Sequence, residues 1–99
     1  MLKIYQNILQ EFKNLKGNGK LVLFGSIVKG KSRFDSDIDI AAITDDKKFL
    51  VETERIADKI LFKYGKVISI IKFSEAEFES NKESIIKEIK KGIVIYEGS

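Results

Sequence analysis

Leu2, Tyr5, Ile8, Leu9, Phe12 and Leu15 recur at three- and four-residue intervals, which gathers them on one face of a helix over residues 2–16. Lys16-Gly17-Asn18-Gly19 then stops it. From Lys20 to Phe24 the pattern changes to a short apolar run, a strand that delivers the chain into a turn at Gly25-Ser26. A short helix is expected over residues 27–31. Residues 37–43 read as a second strand, and Asp45-Asp46 caps a helix whose Phe49, Leu50, Ile56, Ile60 and Leu61 have helical spacing. Gly65 closes that helix. The run from Val67 to Phe73 is apolar enough to want cover on both faces, so it is expected as a central strand. Ser74-Glu75-Ala76-Glu77 has the form of an N-cap with carboxylates in the first turn, opening a helix to about Lys91 around Phe78, Ile85, Ile86 and Ile89. Gly92 ends it, and Ile93 to Tyr96 forms a last strand. The order α-β-α-β-α-β-α-β predicts an α/β (α+β) sandwich, with flanking helices packed on a small mixed sheet.

The chemistry concentrates between the first two strands. Strand side chains alternate between faces, so Asp37 and Asp39 project together while Ile38 and Ile40 turn into the core. Two carboxylates on adjacent same-face positions repel unless a cation lies between them, which makes them candidate metal ligands. A strand ending at Gly25 and Ser26 exposes backbone N–H groups where a phosphate is favoured. Ser26 adds a hydroxyl, and Lys29 or Lys31 could neutralise phosphate charge. Taken alone, Gly-Ser is an ordinary turn and cap. Its position just before an Asp-x-Asp strand favours the chemical reading. Asp35 falls in the preceding loop, and Asp45 and Asp46 are helix caps. The lysines from Lys87 to Lys91 are the solvated end of a helix.

Composition narrows that chemistry further. Ninety-nine residues, 43% hydrophobic and 33% charged, fit a single domain over residues 1–99. Without Cys or His the chain cannot use disulfides, thiolates, imidazole bases or ordinary zinc sites, which leaves oxygen ligands that suit magnesium or manganese. A net charge of +3, with both signs mixed along the chain, tolerates a phosphate-bearing ligand without demanding nucleic acid. No apolar run is long enough to span a bilayer and no secretory signal opens the chain, so a soluble, cytoplasmic protein without membrane attachment is expected.

Gly25-Ser26-Ile27-Val28-Lys29-Gly30, five intervening residues, and Ser36-Asp37-Ile38-Asp39-Ile40 resemble the signature of the minimal nucleotidyltransferases, the small MNT domains of the DNA polymerase β-like superfamily. The ending Lys90-Lys91-Gly92-Ile93-Val94-Ile95-Tyr96 is also similar to their closing strand. The resemblance implies that Asp37 and Asp39 hold Mg²⁺, with two ions possible, and that the phosphates of ATP lie over Gly25 and Ser26. Lys29 and Ser36 complete the implied phosphate-binding set. It further implies transfer of AMP to a hydroxyl of a partner protein, a small helical HEPN toxin, for which the chain would be the antitoxin. Direct nucleic-acid binding is disfavoured, because only charge would support it.

Two positions depart from the family pattern. Lys29 stands where many members carry Arg, keeping the charge but losing a bidentate fork. Residues 67–73 also lack the third carboxylate that active members present from the next core strand, and Ser69 is the only small polar residue there. That loss weakens chemistry more than nucleotide binding. The alternative is therefore a catalytically degenerate module that keeps metal or nucleotide and neutralises its partner by binding.

Overall fold

A computed structural model of the protein describes residues 3–25, 28 and 37–98. Helix α1 spans Lys3–Gln10 and tightens into a 3-10 turn at Glu11–Asn14, so the first predicted helix is split in geometry although its apolar stripe is continuous. Strand β1 (Gly19–Phe24) is followed by β2 (Ile38–Ile43). The helix expected over 27–31 falls almost wholly outside the described residues. Helix α2 runs over Lys47–Tyr64. Asp46 is its N-cap, its carboxylate accepting the Lys48 N–H at 2.9 Å, and Gly65 closes it in the left-handed conformation at φ 69°. Asp45 caps elsewhere: its carboxylate accepts the N–H of Glu75 at 3.4 Å.

Strand β3 covers Ile68–Phe73. The predicted C-terminal helix is two helices, α3 (Glu75–Ser80) and α4 (Ser84–Lys90). The expected capping box opens α3, with reciprocal Ser74 and Glu77 hydrogen bonds. The break comes at Asn81, whose backbone is extended and whose side-chain carbonyl accepts the N–H of Glu83 at 2.8 Å, a local bond that competes with helix continuation. Strand β4 (Ile93–Gly98) ends the described chain, two residues longer than expected.

Among the described residues the four strands form one mixed sheet in the order β3-β2-β1-β4. β1 lies antiparallel to β2 and β4, while β2 and β3 are parallel and joined through α2. β3 is thus an edge strand and not the expected central one. None of its residues is fully buried, and β1 and β2 take the centre. Alternation along β1 and β2 gives the sheet two apolar faces. Leu21, Leu23, Ile38, Ile40 and Ala42 pack with Tyr5, Ile8 and Phe12 and with Phe49, Ile56 and Ile60 of α2. Val22, Phe24, Ala41 and Ile43 meet Ile86 and Ile89 of α4, with Phe78 of α3 at the margin. The sandwich expected from the sequence is the observed architecture.

Candidate active site

Asp39 is the second residue of β2 and is half-buried, while Asp37 stands immediately before the strand and is exposed. The two-residue alternation puts Asp39 on the sheet face of Ala41 and Ile43, the face that α4 covers. Across the ladder Asp39 pairs with Phe24 of β1 on one side and with Ser69 of β3 on the other. Ser69 therefore occupies the neighbouring-strand position from which a third carboxylate would reach the pair.

Gly25 follows Phe24 directly, at φ 84°. A Cβ at Gly25 would lie 2.5 Å from Asp39 Oδ2, so glycine is needed both for its backbone conformation and for the space beside that carboxylate. The Asp39 carboxyl is pushed above the ordinary carboxylate value, first by partial burial and then by the negative charges of Asp37 and Glu88. A cation would relieve all three effects. Oxygen donors, an open cradle at Gly25 and an electrostatic deficit of positive charge together fit a hard divalent ion such as Mg²⁺. Among the described residues no three carboxylates converge closely enough to hold one ion directly, in keeping with Ser69 on β3.

Of the other residues implicated by the sequence, Ser26, Lys29 and Ser36 lie outside the described residues, as do Lys31 and Asp35. Lys87, Lys90 and Lys91 are exposed as expected, Lys90 lying 5.8 Å from the Phe78 ring centroid. Sequence reading gave no sign that the charge of Glu88 acts on the Asp39 carboxyl; that influence depends on how α4 crosses the sheet, and no spacing along the chain reports it. A cavity of about 660 Å³, lined by Lys20, Ile43, Phe78 and Lys90 among others, lies toward the other end of β1 and β2. Its Lys20–Ile43 pair is four residues along β1 from the Phe24–Asp39 pair, so that cavity is not the one the carboxylates serve.

Residues 6–99 match the family model described as polymerase beta, nucleotidyltransferase. The chain belongs to this nucleotidyltransferase family. Among its relatives, a protein of Methanocaldococcus jannaschii named as a protein adenylyltransferase is 40% identical over 60 residues. That match covers 60% of this chain and 57% of the relative, so the chain spans little more than half of that protein's length. Two solved structures share the fold. A toxin-antitoxin with AMP-PNP superposes with a TM-score of 0.61 at 18% identity, covering 93% of this chain and 72% of the other. A mutant of the toxin-antitoxin MntA-HpeT gives 0.59 at 15% identity, covering 93% and 71%. The resemblance to minimal nucleotidyltransferases is borne out, and the four-stranded mixed sheet with its flanking helices is the sheet of this family.

Proposed function

We propose that this nucleotidyltransferase domain is one cytoplasmic unit that transfers AMP from ATP, with Mg²⁺, to a hydroxyl of a partner protein, and that it serves as antitoxin to a small helical toxin of the HEPN type. The observation that carries the reading is the bare Cα of Gly25 against the Asp39 carboxylate, inside a chain of this family. The adenylyltransferase name of the 40%-identical relative supports AMP and a protein acceptor. The toxin-antitoxin and AMP-PNP of the structural neighbours support the partner and the triphosphate.

In this reading Asp37 and Asp39 hold the ion, and Gly25, Ser26, Lys29 and Ser36 bind the triphosphate. Mg²⁺ would supply charge neutralisation on the phosphates and activation of the attacking hydroxyl. The acceptor oxygen forms a bond to the α-phosphorus as the bond to the bridging oxygen breaks. Pyrophosphate leaves and the hydroxyl proton passes to solvent. The work of the chain is to align the acceptor and the triphosphate.

Ser69 opposite Asp39 favours a second reading, a binding module that retains ion and nucleotide but turns over poorly. Incubation of the purified complex of chain and partner with Mg²⁺ and α-labelled ATP separates the two. Label on a hydroxyl side chain of the partner is the expected result. Retained nucleotide with no label on the partner selects the binding module, and no nucleotide binding at all refutes both.

A further inference from the structure

The sheet ends in two edge strands, and a charge guards only one of them. β3 carries Lys72, exposed and ion-paired with Glu54 of α2, and a charge within an edge strand discourages the addition of another strand. β4 has no charge from Ile93 to Tyr96, and among the described residues no strand pairs with its outer side. On its inner side the ladder to β1 shifts register between Leu21 and Val22, and the extra residue, Ile95, packs on the same core as its neighbour Tyr96. Ile93 and Val94 stay 44% and 48% exposed. Beside the strand a cleft of about 270 Å³ separates β4 from α1 and its 3-10 turn, lined by Leu9, Val94 and Ile95 together with Gln6, Gln10 and Lys13. Side chains of one more strand fit such a cleft.

The charges at the two ends of β4 select the occupant. Lys90 and Lys91 precede the strand, both exposed, and Glu97 lies near its end with its side chain 68% exposed. A second β4 laid parallel would set lysines against lysines, whereas one laid antiparallel sets each basic start beside an acidic end, twice over. Lys91 stands three residues before Val94 and Glu97 three residues after it, so the register that joins these charges puts Val94 opposite itself and Ile93 opposite Ile95. A segment that matches itself in this way suits the two-fold contact of a symmetric dimer. We propose that β4 is a dimerisation edge: two copies of this chain pair their β4 strands antiparallel about Val94 and join their sheets into one. The ion pair of Glu97 with Lys20, 3.6 Å long and exposed, is weak enough to be shared with the second copy. Ile93 pairs with Leu23, next to the Phe24–Asp39 pair, so the antiparallel arrangement sends the two Asp39 sites toward opposite ends of the joined sheet.

Sedimentation equilibrium of the purified chain tests the dimer. One strand edge buries less than the roughly 800 Å² per partner of a standard interface, so the association should be reversible, the mass rising from 11.3 kDa toward twice that value between about 1 μM and 1 mM. Val94→Lys gives β4 the guard that Lys72 gives β3 and should hold the mass at 11.3 kDa throughout, with the circular dichroism of the parent protein. Phe62→Lys, at a position 93% exposed on α2, is the control and should associate like the parent. Single thiols report the orientation, because the chain has no cysteine of its own. Val94→Cys should form a disulfide-linked dimer on mild oxidation. Glu97→Cys should not, since three residues from the dyad on each strand place the two thiol positions about 20 Å apart, against the roughly 7 Å between Cα atoms that a disulfide tolerates. A parent chain that stays at 11.3 kDa up to about 1 mM overturns the proposal, as does a dimer that survives Val94→Lys or one that Phe62→Lys dissociates instead. If Val94→Lys does not fold, the thiols decide: cross-linking through Glu97→Cys and not through Val94→Cys overturns the antiparallel edge, and the reverse supports it.

Discussion

Substituting Gly25 by Ala tests two consequences of one atom. At φ 84° the new residue sits in the left-handed region, which costs a non-glycine residue about 1 kcal/mol or somewhat more. In a domain of this size that lowers the melting temperature by roughly 4–8 °C. The added Cβ also meets Asp39 Oδ2 at 2.5 Å, and recovering ordinary van der Waals separation displaces the carboxylate by about 1 Å. A displacement of that order at a reacting centre can cost roughly a hundredfold in rate. Gly65→Ala is the matched control. Gly65 has φ 69° and nothing within 4 Å of the position its Cβ would take, so it carries the backbone cost alone. Both variants should therefore melt lower by circular dichroism, but only Gly25→Ala should lose Mn²⁺ affinity and nucleotide transfer. Equal binding by the two variants at a temperature where both are folded would refute the role given to the space beside Asp39.

Three further outcomes follow from the same geometry. Asp39→Asn should abolish ion binding yet raise the melting temperature of the metal-free protein at neutral pH: a carboxyl raised on folding favours the native state below its unfolded value and loses that contribution as pH rises through the folded one, so ionised Asp39 is a liability. A lower melting temperature in thermal denaturation would count against that electrostatic account. Glu11 accepts hydrogen bonds from Lys63 at 3.2 Å and the Tyr64 hydroxyl at 3.1 Å and pairs with Lys59 at 3.3 Å, and these partners, Lys63 foremost, hold its carboxyl below the ordinary value of 4.5. Its contribution is complete above that value and is lost as pH falls through the depressed one, so Glu11→Gln should destabilise at neutral pH by a margin that closes on acidification, as chemical denaturation at several pH values can show. Ser69→Asp places a carboxylate beside Asp39 in register and should raise turnover more than ATP affinity, by up to about a hundredfold, in steady-state transfer assays; a parent protein already at enzyme-like rates with no gain in the variant would mean that the third charge comes from elsewhere.

Local signals along the chain settled most of the described helices and strands and several of their caps. Asp46, Gly65 and the Ser74–Glu77 box act within one turn of their own helix, so their roles are legible without knowledge of the fold. The same holds for Gly25 as a turn and for the face of the sheet on which the strand period places Asp39. Strand order lay beyond that reach. β3 has the apolar run of a central strand yet stands at the edge, because pairing is decided by which neighbours remain after β1 has taken β2 and β4. The break at Asn81 was hidden for a different reason: one side-chain hydrogen bond outweighs a helical apolar period that runs straight through it. The site divides along the same line. Ser69 is opposite Asp39 only through the parallel register of β2 and β3, and Glu88 reaches the same end of the sheet only because Gly92 lets α4 settle against β1. Residues 49 positions apart come under one electrostatic influence through packing, a long-range outcome that no periodicity in the chain encodes.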